Sequence, residues 1–163
     1  MGQEIERKFL VRREAWHPDP ARGTRYRQGY LSTEPARIVR VRTAGAKAYL
    51  TIKGRTEGIE RLEFEYNIPL ADANVMLDQL CVRPLVEKVR YREEFDGLAW
   101  ELDVFEGENA GLLVAEVELP SPDTPIPAPP WLGEEVSHDA RYFNSNLAQH
   151  PYREWGGGRT GAS

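Results

Sequence analysis

EIERKFLV, residues 4–11, places two carboxylates and one ammonium group at alternate positions, which are Glu4, Glu6 and Lys8. Successive side chains of an extended strand point to opposite faces, so these three share one face. That face can hold a divalent metal beside an anion. The opposite face is apolar except for Arg7. The charged face of this strand is therefore a candidate for the inside of the fold.

Charged side chains alternate with apolar ones in the same way further along the chain. The rows are Arg40 and Arg42, Thr51 and Lys53, Glu63 and Glu65, Lys88, Arg90 and Arg92, Glu101 and Asp103, and Glu116 and Glu118. An ordinary solvated sheet face, with opposite charges paired across strands, would explain any single row. Short rows of one sign repel each other, however, and a ligand that carries both signs would offset that repulsion.

Composition limits the class of protein. A chain of 163 residues is long enough for one domain with a real core. The formal net charge of -5 argues against a non-specific nucleic-acid binder, which needs a basic surface, so we expect no nucleic-acid partner. The single cysteine, Cys81, excludes an internal disulfide, and its apolar neighbours predict a buried thiol.

No apolar run is long enough for a membrane span, and the chain does not start with a leader pattern. We therefore expect a cytoplasmic protein with no membrane partner. Residues 120–131 are rich in proline and predict an extended connection that packs over the sheet through Ile126 and Trp131. Residues 156–163 are rich in glycine and predict a disordered tail.

Periodicity predicts mainly strands. They are expected over residues 3–11, 24–32, 37–43, 47–53, 60–67, 85–95, 98–106 and 111–119. Helices are expected over residues 70–80 and 139–149. Asp96-Gly97 is a strong hairpin signal, and we expect most neighbouring strands to be antiparallel.

Charged faces that point inward exclude a flat sheet, because buried charges without partners or water are very costly. A closed antiparallel barrel resolves this cost, since its interior can hold one small ligand. We therefore predict an α+β fold, a closed eight-stranded antiparallel β-barrel tunnel with a charged interior and a few flanking helices. Two helices and the proline-rich connection would cover the apolar outside, with Trp100 beneath a helix.

Together these rows resemble the CYTH domain, or triphosphate tunnel metalloenzyme, family. Its E-x-E-x-K signature stands at Glu4, Glu6 and Lys8, and the other charged rows follow in the family's order. The resemblance spans residues 2–149, and we predict one domain over residues 1–155. One departure concerns Phe143, since some relatives carry a lysine there, after the tyrosine of an R-Y-x-N segment.

The resemblance implies a tunnel that binds a linear triphosphate with Mg²⁺ or Mn²⁺. The start of the chain looks most like the short bacterial inorganic triphosphatases, which implies hydrolysis of inorganic triphosphate to diphosphate and phosphate. Other members act on thiamine triphosphate or nucleotides, or are class IV adenylate cyclases, and a non-catalytic polyphosphate or nucleotide binding module is a further alternative. We expect no aromatic slot for a base among the inward positions, which favours a substrate without one. The sequence does not give the oligomeric state, but barrels of this size often associate through an outer face, so a homodimer is a candidate assembly.

Site residues follow from this chemistry. The expected metal ligands are Glu4, Glu6, Asp103, Glu116 and Glu118, with Glu4, Glu6 and Glu118 as the principal set. The expected substrate clamp is Lys8, Arg40, Arg42, Lys53, Lys88 and Arg90. The expected catalytic residues are Lys88, Lys8 and Glu65. Glu63, Glu65 and Glu101 either orient these cations or hold a second metal that activates water, and Lys88 is an alternative guide for that water.

Overall fold

The computed structural model describes residues 2–156. Its strands are β1 (Gln3–Val11), β2 (Thr24–Ser32), β3 (Ile38–Ala44), β4 (Lys47–Lys53), β5 (Glu60–Asn67), β6 (Val86–Phe95), β7 (Leu98–Glu106), β8 (Leu113–Glu118) and β9 (Leu132–Glu135). The α-helices are α1 (Leu70–Gln79), α2 (Asn144–Leu147) and α3 (Tyr152–Trp155). Short 3₁₀ turns lie at Arg13–Ala15, Pro20–Arg22, Gly107–Asn109 and Ala140–Tyr142. The eight predicted strands agree with β1 to β8 to within two residues at each end.

Eight strands close into an antiparallel barrel. Around the ring the order is β1, β5, β4, β3, β2, β6, β7 and β8, and β8 returns to β1. The pairs that close the ring join Glu4 to Arg61 on one edge of β1 and Lys8 to Glu116 on the other. Closure leaves an interior lined by alternate residues of every strand. The predicted α+β barrel fold is confirmed.

The β6–β7 hairpin sets the pairing of several interior charges. Its turn residues Asp96 and Gly97 have positive φ angles of 52° and 82°, as a two-residue hairpin turn demands and as Asp and Gly tolerate. The register then places Arg90 opposite Asp103. The local chemistry of one turn thus decides which basic side chain meets which acidic one.

A ninth strand, β9, was not predicted. One edge of β1 is shared, because residues 3–5 pair with β5 and residues 9–11 pair with β9. Arg7, the exception on the apolar face of β1, donates from Nε and Nη2 to the Glu135 carboxylate of β9 at 2.9 and 2.6 Å. β9 therefore supplies the partner that lets a charged side chain remain on an otherwise apolar face.

Aromatic residues fill the outer face of β1, β7 and β8. Trp100 has no exposed surface, and its ring lies edge-on to that of Trp131 at 5.2 Å between centroids. Phe9, Trp16 and Ile126 belong to the same cluster. The predicted packing of Ile126 and Trp131 over the sheet is confirmed. The predicted helix above Trp100 is wrong, because the proline-rich connection covers this face.

Helix α1 covers the outer face of β3 and β4. Ala73 and Leu77 of the helix are fully buried against Val41 and Ala48 of these strands. Cys81 joins this cluster as a free, buried thiol, as predicted. This helix shields the outside of the strand that carries Arg40 and Arg42 inward.

The C-terminal segment closes one end of the barrel and leaves the outer face to other elements. Tyr30 and Phe105, which share the inward parity of their strands, form one buried cluster with Tyr142 and Leu147. Apolar residues at this end of the interior are thus removed from water by the segment that follows β9. The prediction that two helices cover the outside of the barrel is therefore wrong for the helix that was expected over residues 139–149.

This segment is not the continuous helix predicted over residues 139–149. A 3₁₀ turn is followed by Phe143 in an extended conformation (φ −69°, ψ 134°), and α2 begins only at Asn144. Phe143 and Asn144 both line the cavity described below. In a straight helix the two side chains would point about 100° apart, so the break lets both face the interior.

No helix within residues 2–156 is long and apolar enough to cross a membrane. Of the predicted disordered tail, residues 157–163 lie outside the described residues. Gly156 lies inside them and is buried, and its N–H donates to the Tyr152 carbonyl at 2.6 Å.

Candidate active site

Charges of opposite sign face each other across the barrel. β3 lies four strands from β8 in either direction around the ring, so the two are diametrically opposed. We call Arg40, Arg42 and Arg90 the arginine wall, and Glu4, Glu6, Glu116 and Glu118 the acidic wall. The first is centred on β3, and the second is formed by β8 and its neighbour β1.

A cavity of about 440 Å³ is lined by both walls. The two walls meet where Arg90 Nη2 lies 3.4 Å from Glu116 Oε1. The predicted site residues that line it are Glu4, Glu6, Lys8, Arg40, Arg42, Lys53, Glu65, Arg90, Glu116 and Glu118. Lys88 and Asp103, which were also predicted, are not among its lining residues. The barrel therefore brings ten of the twelve predicted side chains to one cavity and holds two behind its surface.

The acidic wall holds its carboxylates at an electrostatic cost. Register places Glu6 opposite Glu118 on the neighbouring strand. Burial raises the pKa of Glu6 to about 8, and the negative charge of Glu116 adds to this effect. Burial and the charge of Glu4 also raise the pKa of Glu118. The crowded carboxylates would be stabilised by additional positive charge.

Two lysines meet part of this need. Lys8 Nζ forms an ion pair with the Glu116 carboxylate, and Lys53 Nζ lies 3.3 Å from Glu4 Oε1. Burial acts to raise the pKa of Glu4 and of Glu116, but the neighbouring ammonium groups outweigh it and hold both pKa values below the usual range. These two carboxylates are therefore ionised at neutral pH.

Glu63 extends the acidic surface at its edge and lies 3.7 Å from Lys53. Burial raises the pKa of Glu63 to about 7, although the charge of Lys53 opposes the shift. A carboxyl group with this pKa exchanges its proton near neutral pH.

The donor set of the acidic wall fits a hard divalent cation. It consists of carboxylate oxygens, the ligands that Mg²⁺ and Mn²⁺ prefer. Within residues 2–156, no three acidic, His or Cys side chains stand in ready-made ligand positions. Mg²⁺ commonly needs only one or two carboxylates, because water and phosphate oxygens complete its shell. The raised pKa values of Glu6 and Glu118 indicate the missing positive charge that such an ion would supply.

Arg90 is anchored by a carboxylate that was predicted to bind metal. Its Nε and Nη2 donate to the two Asp103 oxygens at 2.7 and 2.9 Å, and its Nη1 donates to Glu101 at 3.0 Å. Such a bidentate contact fixes the plane of the guanidinium group. Asp103 is thus committed to Arg90 in this structure, and its role as a metal ligand stays a prediction.

Lys88 lies behind the cavity lining and has no exposed surface. Its Nζ is 2.7 Å from Asp103 Oδ2 and donates to Asn144 Oδ1 at 3.0 Å. Burial lowers the pKa of Lys88 to about 7, even though the Asp103 charge opposes the shift. The structure does not bring Lys88 to the cavity, so its predicted catalytic and substrate contacts remain predictions.

Glu65, predicted as catalytic, faces the cavity beside Arg40. Its Oε1 accepts hydrogen bonds from Thr51 Oγ1 at 2.8 Å and from Arg40 Nη2 at 3.3 Å. Glu101 accepts from Arg90 in a similar way. Of the two alternatives for these acids, orientation of cations or a second metal site, the contacts favour orientation.

Arg42 differs from the other predicted clamp residues. In the described part of the chain each of the others forms an ion pair with a carboxylate: Lys8, Arg40, Lys53, Lys88 and Arg90. Arg42 forms none there, and its Nε donates to the neutral Gln28 Oε1 at 2.8 Å. Burial, together with the charges of Arg40 and Arg90, lowers the pKa of Arg42 to about 10. Its positive charge is thus available to an anion.

Aromatic side chains also line the cavity: Tyr26, Tyr30, Tyr49 and Phe143. The expectation that no aromatic slot faces the interior is wrong. Tyr26 and Tyr49 occupy inward positions of β2 and β4, and Phe143 reaches the cavity from the break in the C-terminal segment. The choice between inorganic and organic triphosphates therefore cannot rest on an absent base slot.

Two polar residues of the site, Gln28 and Asn144, were not predicted. Gln28 is fully buried, and its Nε2 donates to Asn144 Oδ1 at 3.2 Å and to Tyr30 Oη at 3.1 Å. A signal existed for Gln28, because it holds the inward parity of β2, between two basic rows. For Asn144 there was none, because its placement depends on the break before α2.

Comparison with known proteins agrees with this geometry. The sequence of residues 2–152 matches the family model of the CYTH domain. The chain is 48% identical over 155 residues to an inorganic triphosphatase of Acetivibrio thermocellus, covering 95% of this chain and 99% of the relative. It is 42% identical over 151 residues to an inorganic triphosphatase of Nitrosomonas europaea, covering 89% and 96%.

A solved structure gives the same result in three dimensions. The crystal structure of the inorganic triphosphatase NE1496 superimposes with a TM-score of 0.63 at 39% identity, over 91% of this chain and 95% of that one. The family match covers most of the sequence, including every charged row that lines the cavity. The chain therefore belongs to the CYTH domain family.

Proposed function

We propose that this protein hydrolyses inorganic triphosphate to diphosphate and phosphate, with a divalent metal, inside the barrel. One observation carries the proposal: a single cavity holds an arginine wall with an uncommitted cation, Arg42, opposite an acidic wall whose charge Lys8 and Lys53 neutralise only in part. A linear triphosphate bound with a metal ion has both complements. The names of the relatives at 48% and 42% identity support the same activity.

The arginine wall and the lysines would bind the non-bridging oxygens of the substrate. Arg42 offers a guanidinium group that no carboxylate occupies, and Arg90 presents one whose plane Asp103 fixes. Lys8 and Lys53 lie beside the acidic wall and can contact both the carboxylates and the phosphates. Phosphoryl transfer needs mainly positioning and charge stabilisation, which these residues provide.

Glu4, Glu6 and Glu118 would hold Mg²⁺ or Mn²⁺, with Glu116 next to them. The ion would neutralise phosphoryl oxygens and make a bound water more acidic. In the reaction the water oxygen bonds to the terminal phosphorus, the bridging P–O bond breaks, and its electron pair leaves with diphosphate. One proton of the water stays on the phosphate product and the other passes to the solvent. While the ion is bound, its positive charge would favour the ionised forms of Glu6 and Glu118, the two carboxylates with raised pKa values.

An organic triphosphatase or a class IV-type adenylate cyclase is the second candidate, because Tyr49 and Phe143 line the cavity. Rings at these positions can stack on a base or a thiazole. A non-catalytic polyphosphate or nucleotide binding module is the third, and the acidic wall argues against it, because binding of an anion does not need Glu4, Glu6 and Glu118.

The deciding experiment measures phosphate release from inorganic triphosphate, ATP and thiamine triphosphate in parallel, each with Mg²⁺, Mn²⁺ or a chelator. We expect rapid, metal-dependent release from inorganic triphosphate. Preference for an organic substrate would support the second candidate, and production of cyclic AMP would identify a cyclase. Tight triphosphate binding without release would support the binding module and overturn the proposal.

Two variants link the activity to the site. Lys8→Ala should weaken turnover through a lost phosphate contact, and Glu6→Gln should lower it by more than about tenfold at limiting Mg²⁺ through metal affinity. Glu154→Gln, at an exposed position of helix α3, is the matched control and should behave as wild type. Wild-type turnover of both site variants at limiting Mg²⁺ would contradict the metal-tunnel mechanism.

We further propose a homodimer in the cytoplasm, with no nucleic-acid or membrane partner. The net charge of -5 supports the lack of a nucleic-acid partner. The outer face of β4 and β5 supports self-association, because Ile52, Leu62 and Phe64 are exposed on it. Sedimentation of the wild type and of Phe64→Lys would measure the oligomeric state, and a wild-type monomer would contradict the dimer.

A further inference from the structure

Strand β2 is the neutral strand of the barrel interior. Its inward residues Tyr26, Gln28 and Tyr30 carry no charge at neutral pH, whereas both strands beside it are basic. Register places Gln28 next to Arg42 of β3 on one side, and Tyr26 next to Lys88 of β6 on the other. The neutral row thus separates two rows of like charge.

Tyr26 contacts a cation from each neighbouring strand. The guanidinium carbon of Arg42 lies 4.8 Å from the centre of its ring, and that of Arg90 lies 4.9 Å from it. Both distances are in the range of cation–π attraction. One ring therefore contacts two arginines and offsets part of the repulsion between them.

Gln28 fixes the second contact of Arg42. Arg42 Nε can only donate, so the side chain of Gln28 must turn its oxygen toward it, at 2.8 Å. The amide group then donates to Tyr30 Oη and Asn144 Oδ1. Because Gln28 is fully buried and bonded at both ends, its orientation is determined by the network.

A neutral pair of contacts has a consequence that a carboxylate would not have. Asp103 orients Arg90 but also neutralises part of its charge. Tyr26 and Gln28 hold Arg42 without adding a negative charge that would compete with a phosphate group. This accounts for the one predicted clamp residue without an ion pair in the described chain.

We propose that Tyr26 and Gln28 are positioning residues that keep Arg42 as the uncommitted anchor for an anionic phosphoryl group. The inference rests on the proposed function for the identity of the substrate, and on the contacts alone for the identity of the anchor.

The test compares matched variants of the full chain. Tyr26→Leu removes the ring, Tyr26→Phe keeps it, and Gln28→Met removes the acceptor at similar length. We expect Tyr26→Leu and Gln28→Met to raise the KM for inorganic triphosphate about 3- to 30-fold with kcat little changed, while Tyr26→Phe stays near wild type. Gln28→Glu should also raise KM, because its carboxylate would pair with Arg42.

Calorimetric titration with inorganic triphosphate in chelator is the second measurement, and it separates this inference from the proposed function. If the wild type binds triphosphate but does not cleave it, weaker binding by Tyr26→Leu still supports the anchor. Unchanged KM and unchanged binding in both Tyr26→Leu and Gln28→Met would overturn it. Equal loss in Tyr26→Leu and Tyr26→Phe would also overturn it, because the ring would then not be the cause.

A double-mutant cycle distinguishes positioning from general damage to the fold. In an Arg42→Met background, Gln28→Met should cause no further loss of triphosphate affinity. Tyr26→Leu should then cause only the part of its loss of affinity that acts through Arg90. Additive losses in this background would show that the two residues act independently of Arg42 and would contradict the proposal.

Discussion

The negative charge that Glu6 needs in order to bind a metal ion destabilises the ligand-free fold. Its pKa is about 8 in the folded chain, against a usual value of 4.5, because of burial and then the charge of Glu116. The folded state therefore holds this proton more tightly than the unfolded state. The resulting stabilisation is fully present below pH 4.5 and is lost as the pH rises through 8.

We expect Glu6→Gln to remove this pH dependence. In chelator, the free energy of unfolding of the wild type should fall relative to that of the variant between about pH 5 and pH 8, by an amount on the order of a few kcal/mol. Urea denaturation at a series of pH values measures the difference in unfolding free energy between the wild type and the variant. The pH dependence of groups that are the same in both chains, such as Lys88, cancels in this difference. Glu154→Gln should parallel the wild type, and a parallel curve for Glu6→Gln would contradict the expectation.

Arg42 should show the opposite balance, since it affects binding more than stability. Arg42→Gln removes a buried cation that forms no ion pair in the described chain and that Arg40 and Arg90 repel. Relief of this repulsion offsets the lost hydrogen bond to Gln28, so the fold loses little. We expect triphosphate affinity in chelator to fall about 10- to 100-fold, the range of a lost hydrogen bond to a charged group. Calorimetry measures it, with exposed Arg37→Gln as control; a loss of affinity that is no larger than in the control would count against the anchor.

At the scale of single residues, period-two alternation predicted which side chains point inward. Ten of the twelve predicted site residues line the cavity. Depth was not predictable, because alternation gives the face of a strand and not the height along the barrel. Lys88 and Asp103 point inward like Arg90, yet both are buried behind the cavity lining, where Lys88 Nζ lies 2.7 Å from Asp103 Oδ2. Tyr26 and Gln28 were missed as site residues because neutral side chains leave no charge pattern.

Among the elements, the segment from Ala140 to Leu147 links the site to the core. Leu147 has no exposed surface and packs with inward residues at the end of the barrel, while Asn144 of the same helix holds Lys88 and Gln28. Packing at one end of the segment thus positions polar contacts at the other.

Leu147→Ala should therefore affect stability and the site together. Loss of the side chain leaves a cavity in a buried cluster, which costs about 2–5 kcal/mol of unfolding free energy. Chemical denaturation measures this loss, and KM should rise because Asn144 is less firmly placed. Val75→Ala, at a site 52% exposed on α1, should change neither. A stable Leu147→Ala variant with unchanged KM would separate the segment from the site.

Sequence predicted the long elements better than the short ones. β1 to β8 show clear alternation, and α1 shows an apolar stripe. β9 has only the sequence LGEE, and it forms because β1 has an unpaired edge beyond β5, which depends on closure of the barrel. The break at Phe143 likewise depends on the cavity that it enters, so local periodicity could not indicate it.

Considered as a whole, the molecule is a ring whose opposite walls need opposite ligands. β3 carries Arg40 and Arg42, and β8, directly across the ring, carries Glu116 and Glu118. A metal ion alone would satisfy the acidic wall and leave Arg42 without an anion. Triphosphate alone would satisfy the arginine wall and approach the carboxylates unfavourably. The barrel is thus built for the two ligands together.

Joint stabilisation follows from this arrangement. Ligands that bind only the folded state raise its stability by mass action, and coupled ligands raise it by more than the sum of their separate effects. We expect the Tm to rise slightly with Mg²⁺ alone and slightly with triphosphate in chelator. When Mg²⁺ is added with a triphosphate analogue that has imido bridges and resists hydrolysis, the rise in Tm should exceed the sum of these two separate rises. Differential scanning fluorimetry measures this. Glu6→Gln should lose the excess and keep the triphosphate effect, whereas additive shifts in the wild type would show that the walls act independently.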